Sequence, residues 1–233
     1  MDNSSVRWIT TTKRFVAYLD IMGFKDIVAR NTHQSIYKRL CSLASTVYES
    51  KYNNVYASIF SDSIVVFSRN QSRKSWCEFI KVVSVIVNHS FLDGFGIKGA
   101  IAFGTITIDT EKQLFFGQPL IDAYLLEEDL CYFGVILHHT AEKQVCLRTC
   151  EKPMIELPTK LKSGVVTHIN LAWPAFYKEI SKAHAKPLEL MNKFKTTMSG
   201  SPRRYLDNTI EFINRISCNN KILSELNECI DRR

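Results

Sequence analysis

The order of strand-like and helix-like apolar patterns constrains the fold of this chain more than any other feature of the sequence. An apolar run over residues 15–19 is followed by apolar residues at helical spacing between 25 and 51. Two strand-like runs, 55–60 and 64–68, flank a short polar turn, which predicts a hairpin. A second helical pattern and a β-branched run over 97–108 complete the series. The first six elements are therefore strand, helix, strand, strand, helix and strand.

This order is that of the split βαββαβ unit, so we predict an α+β fold with a ferredoxin-like core. The helices are expected to cover one face of the sheet and to leave the other face free for a ligand or a second subunit. A further helix opening at Gln118 and a strand over 133–137 extend the core. From residue 172 onward the apolar spacing is helical. We therefore predict a core domain, 1–171, and a helical C-terminal appendage, 172–233, that packs on the core or on a dimer interface.

Composition limits the class of partner and the cellular setting. The chain of 233 residues has a net charge of +7, which favours anionic partners. Its basic residues are spread along the sequence, so the charge fits a phosphate-bearing small molecule as well as nucleic acid. The sequence contains no apolar run of membrane-spanning length and no apolar signal region at its N-terminus, which predicts a cytoplasmic protein. The seven cysteines form no CxxC pair and are expected to be reduced.

Two aspartates are the strongest candidates for a functional site. Asp20 ends the first strand, and Asp62 lies at the tip of the predicted hairpin. In a split βαββαβ sheet the first strand lies beside the third, so the two carboxylates are expected to be close and to repel one another. A pair of divalent cations would relieve that repulsion and is a common device for displacement at phosphorus. Gly23, at the turn that follows, would let backbone N–H groups approach a phosphate. The alternative is that Asp20 caps a helix and Asp62 fills a turn.

Four short segments resemble motifs of a known family. LDIMGFKDI (19–27) and FSDS (60–63) resemble the two metal-binding motifs of class III nucleotide cyclases. KGAIAFG (98–104) resembles their glycine-punctuated fourth strand, and FGQPLIDAYLLEE (116–128) resembles the segment that opens a later helix. The SDS triplet and the FG…AY..E pattern look like the pyrimidine nucleotide cyclases of Pycsar anti-phage systems. The resemblance covers about half of the chain.

The resemblance implies an activity and a set of partners. It implies conversion of CTP or UTP to a 3′,5′-cyclic pyrimidine monophosphate (cCMP or cUMP) and pyrophosphate, with the product acting on a downstream effector in anti-phage defence. It also implies two Mg²⁺ or Mn²⁺ ions per site and a head-to-tail homodimer with the sites at its interface. No nucleic acid or membrane partner is expected.

The resemblance further implies roles for individual residues. Asp20, Asp62 and the carbonyl oxygen of Ile21 would hold the metal ions. Lys98 stands where an arginine is usual, and it would act as a catalytic residue that offsets phosphate charge. The segment after the first strand would bind the nucleotide through Gly23, Phe24 and Lys25.

Base selection is expected to fall to the second strand. Tyr56 and Ser58 alternate with Asp62 along the sequence and are therefore expected to share its face. Purine cyclases carry a lysine or glutamate at the position of Ser58, and a small hydroxyl cannot replace that charged contact. Tyr56 adds bulk that suits a smaller ring, although a tyrosine on a strand is also compatible with simple packing. These residues predict a preference for pyrimidines and leave CTP and UTP unranked.

Two positions depart from the family pattern. Class III enzymes place an asparagine and an arginine four residues apart after the FG pair, where they stabilise the transition state, and this chain has Ile121 and Leu125 there. Gln118 and Asp122 are the nearest polar pair at that spacing. The alternative hypothesis is therefore a catalytically inactive sensor that binds a nucleotide. Glu127, on the same segment, is either a partner that supports a site residue or a charge on the helix face, and the second interpretation is favoured.

Overall fold

The core of the protein is one mixed sheet. The computed structural model describes residues 10–48, 52–146, 154–176 and 187–217. In these ranges the sheet has eight strands: β1 (Thr11–Met22), β2 (Val55–Phe60), β3 (Ser63–Ser68), β4 (Gly96–Asp109), β5 (Leu114–Phe116), β6 (Val135–Leu137), β7 (Met154–Leu161) and β8 (Gly164–Leu171). Their order is β2-β3-β1-β4-β6-β8-β7, with β5 paired to β4 beside this path. The predicted α+β class is confirmed.

The pairing of β1 follows the predicted order. β1 lies between β3 and β4 and is antiparallel to both, and β2 forms the predicted hairpin with β3. β6 runs parallel to β4, and the hairpin of β7 and β8 extends the sheet beyond β6. The sequence analysis did not predict this last hairpin. Pro158 lies within its first strand, and proline is tolerated there because β7 is an edge strand.

The helices connect these strands and follow them at the C-terminal end of the described chain. They are α1 (Phe24–Arg30), α2 (His33–Tyr48), α3 (Arg73–Leu92), α4 (Gln118–Asp129), α5 (His139–Cys146), α6 (Pro187–Lys195) and α7 (Gly200–Ser217). The single helical segment predicted over 25–51 is in fact two helices. Asn31 ends α1, because its backbone and side-chain amides both donate to the carbonyl oxygen of Ile27. The Thr32 hydroxyl then accepts a hydrogen bond from the Ser35 amide as α2 begins.

Helices lie on both faces of the sheet, which corrects the expectation that one face is free. Trp76 of α3 packs against Phe15 on one face, with 4.2 Å between the ring centroids. Tyr124 of α4 packs edge-on against Tyr18, which faces the other side because side chains alternate along a strand. α4 therefore covers part of the second face, and an open part lies at the ends of β1, β2 and β3, where Asp20 and Ser63 are only partly buried.

The described part of the predicted appendage packs on the same core. Leu206 of α7 is fully buried within the main apolar cluster. The hydroxyl of Thr209 accepts a hydrogen bond from the amide of Phe133 at 2.8 Å. Residues 177–186 and 218–233 lie outside the described ranges, and the division into two domains stays a prediction.

Two expectations from composition concern cysteines and membrane spans. Three described cysteines, Cys41, Cys77 and Cys131, are thiols rather than members of a disulfide. The side chains of the other four cysteines lie outside the described part of the chain. Within the described ranges, no helix is both long and apolar enough to cross a membrane.

Candidate active site

Backbone pairing brings Asp20 and Asp62 to the same end of the sheet. Asp20 lies opposite Ser63 in the pairing of β1 with β3. The amide of Ile21 donates a hydrogen bond to the carbonyl oxygen of Asp62 at 2.8 Å. Ser61, the other residue of the hairpin turn, adopts the left-handed conformation with a φ of 57°. The two aspartates therefore flank one point near the end of β1, which continues to Met22 instead of ending at Asp20 as predicted.

Ionisation of the Asp20 carboxylate is less favourable in the folded protein than in water. Burial raises its pKa, and the charge of Asp62 raises it further; Lys98 opposes these effects, and Glu128 adds a smaller increase. The negative charge of Asp62 thus makes ionisation of Asp20 less favourable. A cation between them would reverse that balance.

The carboxylate and carbonyl oxygen atoms at this end of the sheet are suitable ligands for Mg²⁺ or Mn²⁺, because both ions prefer oxygen ligands. In an antiparallel ladder the N–H and C=O of one residue face the same neighbouring strand. Because the N–H of Ile21 donates toward β3, its carbonyl oxygen faces the same side, toward Asp62. Among the described residues no group of three or more His, Cys, Asp or Glu side chains is placed to hold a metal ion. The remaining ligands would be substrate oxygens and water, as is usual for Mg²⁺.

Lys98 lies next to this point, but its charge is already engaged. It lies opposite Asp20 in the pairing of β1 with β4. Its ammonium group is 2.7 Å from Oε1 of Glu127 and donates to the carbonyl oxygen of Glu127 at 2.9 Å. Lys98 and Glu127 are only 5% and 2% exposed, since α4 covers them. This placement does not support a direct contact of Lys98 with phosphate, and Glu127 is a buried partner of Lys98 and not the favoured charge on the helix face.

A rim of polar side chains beside Asp20 was missed by the sequence analysis. The hydroxyl groups of Tyr18 and Ser63 are hydrogen-bonded at 2.7 Å, and the ring of Tyr18 contacts that of Tyr124 at 5.3 Å between centroids. The charge of Glu128 raises the pKa of the Tyr124 hydroxyl. Two signals were available in the sequence: Tyr18 is two residues from Asp20 on a strand, and Glu128 is one helical turn after Tyr124.

Tyr56 and Ser58 lie on β2 and on the same face as Asp20, but at different distances from it. The Tyr56 ring contacts Phe67 and Phe115, with 6.3 and 5.8 Å between centroids. Tyr56 lies four residues, about 13 Å, along β2 from the strand end where the aspartates meet. It therefore packs in a small apolar cluster, whereas Ser58 lies two residues nearer to the strand end. Base selection by these two residues stays a prediction.

The turn after β1 differs from the expectation at one residue. Gly23 has a φ of 72°, a left-handed conformation that glycine adopts without strain, and it precedes α1. Phe24 is half-buried and packs against the main core, so only part of its ring is available to a ligand. Lys25 is exposed. Contacts of Gly23 and Lys25 with a triphosphate stay a prediction.

Comparison with solved structures identifies the fold of the chain. No protein-family model matches the chain, and no curated protein matches it. A bacterial light-regulated adenylyl cyclase matches with a TM-score of 0.52 at 12% identity, over 82% of this chain and 100% of that chain. The chain has the fold of a nucleotide cyclase catalytic core.

Two further structures agree. The catalytic core of a rhodopsin-guanylyl cyclase with converted specificity, in complex with ATPαS, matches with a TM-score of 0.51 at 11% identity, over 71% of this chain and 98% of that one. The adenylyl cyclase CyaB from P. aeruginosa matches with a TM-score of 0.50 at 13% identity, over 70% and 96% of the two chains. At these identities the likeness extends to the fold alone.

In this cyclase fold part of the exposed side of α4 is apolar. Ile121 and Leu125, at the two positions where the resemblance predicts an asparagine and an arginine, are 51% and 57% exposed. The amide of Gln118 donates to the carboxylate of Asp122 at 2.8 Å, so that polar pair is engaged with itself. Aliphatic side chains cannot donate a hydrogen bond to phosphate, and the two aligned positions therefore offer no stabilisation of transition-state charge.

Proposed function

We propose that this protein is a metal-dependent nucleotide cyclase. The observation that carries the proposal is the placement of Asp20 and Asp62 at one end of a cyclase-fold sheet, fixed by the hydrogen bond from the Ile21 amide to the Asp62 carbonyl. The fold supplies the framework, and the two interacting carboxylates supply a reason to bind divalent cations at that point.

The proposed reaction is an in-line displacement at the α-phosphorus. The ribose 3′-hydroxyl oxygen forms a bond to that phosphorus, the bond to the oxygen that bridges to the β-phosphate breaks, and pyrophosphate leaves while the hydroxyl proton passes to solvent. Two bound divalent ions would lower the pKa of the attacking hydroxyl and neutralise the triphosphate. Asp20, Asp62 and the Ile21 carbonyl would hold these ions, and Lys25 would lie beside the triphosphate.

We propose CTP or UTP as the substrate and cCMP or cUMP as the product. Ser58 is small and neutral and lies toward the open part of the face that carries Asp20, so it offers no charged contact to a purine. The resemblance of the SDS and FG…AY..E segments to Pycsar cyclases supports this assignment. It also supports a role as the source of an anti-phage second messenger for a downstream effector.

We propose a homodimer as the active form. Four exposed apolar side chains on β5 and α4 would be covered by a second copy: Leu114, Phe116, Ile121 and Leu125. A head-to-tail pair would bring the base-selecting strand of one subunit to the carboxylates of the other. Light scattering during size exclusion tests this, and a fully active monomer at the assay concentration would contradict it.

A second candidate is a nucleotide-binding sensor without catalytic activity. Three positions favour it. Ile121 and Leu125 cannot donate to phosphate, and Lys98 is engaged by Glu127. Preorganised donors at developing charge are often the largest single contribution to catalysis, so their loss at these positions would leave binding without turnover.

Pyrophosphate release separates the two candidates. The full-length chain is incubated with each of the four nucleoside triphosphates and Mn²⁺ or Mg²⁺, and the products are identified by mass spectrometry. A cyclic pyrimidine monophosphate with one pyrophosphate per turnover, absent in Asp20→Asn, supports the cyclase. Binding of CTP or UTP without product supports the sensor. ATP or GTP as the best substrate would contradict the pyrimidine assignment and leave the cyclase reaction standing.

A further inference from the structure

The ion pair of Lys98 and Glu127 joins the end of α4 to the centre of the sheet. The lysine contacts both the carboxylate and the backbone carbonyl of Glu127, at 2.7 and 2.9 Å. The same carbonyl also accepts a hydrogen bond from the amide of Leu130, at 3.1 Å. A cation at the C-terminal end of a helix satisfies carbonyl groups that have no partner within the helix. Lys98 therefore caps α4 from the strand beneath it.

A gain in folding stability alone does not explain a buried ion pair of this kind. Removing two charges from water costs several kcal/mol per ion, and replacing a buried ion pair by apolar side chains of similar volume is often neutral or stabilising. A buried ion pair does impose a defined geometry, because each charge must meet its partner. What Lys98 and Glu127 provide beyond an apolar contact is the position of α4 on β4.

That position matters because α4 forms one wall of the candidate site. Lys98 lies directly across from Asp20. Glu128 directly follows Glu127 on the helix and acts electrostatically on Asp20. Tyr124, one turn earlier, packs on Tyr18. A shift of the last turn of α4 would therefore move Glu128 and Tyr124 relative to Asp20.

We propose that Lys98 and Glu127 are positioning residues for the metal-binding face. By fixing the last turn of α4 over β4, the pair sets the distance between that helix and the Asp20 carboxylate. Lys98 acts through this geometry and does not contact the nucleotide. The inference rests on the proposed metal site at Asp20 and Asp62, and it assigns to Lys98 a role different from that of a phosphate ligand.

The test replaces the pair while keeping the fold. Lys98→Met alone leaves a buried carboxylate without its partner and is destabilising. The informative variant is Lys98→Met/Glu127→Leu, which fills the space with apolar atoms. A matched control is Lys160→Met/Glu211→Leu, because this second pair also joins a helix to a strand but lies between β7 and α7. Lys98→Arg keeps the charge and its donors and serves as the conservative variant.

Mn²⁺ affinity, measured by the loss of free-ion EPR signal, is the first readout because it needs no turnover. We expect Lys98→Met/Glu127→Leu to melt near the native temperature and to bind Mn²⁺ about tenfold or more weakly, the scale of losses seen when groups that orient metal ligands are removed. Where turnover is present, kcat should fall while KM for the nucleotide changes little. Lys98→Arg should keep the native Mn²⁺ affinity and the native kcat, and the control variant should match the native chain.

The outcomes are distinguishable. Native Mn²⁺ affinity in a folded Lys98→Met/Glu127→Leu variant would overturn the positioning role, as would an equal loss in the control variant. A native chain that binds Mn²⁺ but forms no cyclic product contradicts only the cyclase proposal, and the positioning role is still decided by Mn²⁺ affinity. A native chain that binds no Mn²⁺ overturns both.

Discussion

Replacing Asp20 by asparagine should stabilise the protein when divalent ions are removed. Side chains of neighbouring residues on adjacent strands lie about 5–7 Å apart. Two unit charges at that distance repel by about 2–3 kcal/mol at an effective permittivity of 20. Asp20 is only partly buried, so solvent screening reduces the gain in the free energy of unfolding to about 1 kcal/mol. For a protein of this size such a gain raises Tm by about 2–4 °C.

The gain should depend on pH in a defined direction. Burial and then the charge of Asp62 raise the pKa of Asp20 in the folded protein, so the folded state holds this proton more tightly than the unfolded state. The stability of the native chain is then fully present below the unfolded pKa of Asp20 and is lost as the pH rises through the raised folded pKa. The advantage of Asp20→Asn should appear over that window and vanish at lower pH.

The assay is a double-mutant cycle in urea and EDTA. Asp20→Asn and Asp62→Asn should each raise the free energy of unfolding, and the double variant should gain less than their sum because the repulsion can be removed only once. Asp26→Asn is the matched control, since its exposed carboxylate on α1 is 4.0 Å from Arg30 and belongs to no buried pair. Strictly additive gains in the free energy of unfolding, or no gain in either single variant, would refute the inference that Asp20 and Asp62 share one site. Mn²⁺ should then stabilise the native chain but not Asp20→Asn.

Other substitutions test base selection, the C-terminal packing and the buried pair. Ser58→Ala should change the ratio of CTP to UTP turnover, measured by product formation, more than it changes Tm. Thr209→Val should lower the free energy of unfolding in urea by about 1–3 kcal/mol, because the buried amide of Phe133 loses its acceptor. Burial raises the pKa of Glu127 to about 7, so native stability should fall as the pH rises through about 7. Glu127→Gln should remove that fall, as followed by Tm from pH 5 to 8.

The first half of the fold could be predicted because each element carries its own apolar period. The strand pattern over 97–108 and the helix pattern over 73–92 correspond to β4 and α3. The hairpin of β7 and β8 has no such period, since the first four residues of β8 are all exposed. That hairpin is held by pairing with β6 and by contacts with α7, such as Lys160 with Glu211. Contacts between distant parts of the chain produce no local sequence pattern, so they could not be predicted in this way.

The same distinction explains which site residues could be predicted. Asp20 and Asp62 lie at the ends of adjacent strands, and strand order follows from element order, so their proximity was accessible from sequence. The contact between Lys98 and Glu127 was not predicted. The alternation of residues along β4 shows on which face of the sheet Lys98 lies, but it does not show what covers that face. Only the crossing of α4 decides that the lysine is buried, and α4 follows β5, a strand of three residues with no signal of its own.

The charge balance of the open face links the metal ions to the second subunit. Asp20, Asp62 and Glu128 are all acidic, and a nucleoside triphosphate would add several further negative charges. Lys98 cannot offset them without leaving Glu127 as a buried and unpaired carboxylate, which costs several kcal/mol. The cations that bind a triphosphate here must therefore come from exposed residues such as Lys25, from bound divalent ions or from another copy of the chain. A cyclase built on this face would therefore take the positive charge that binds its substrate from these sources and not from Lys98, because Glu127 already engages Lys98.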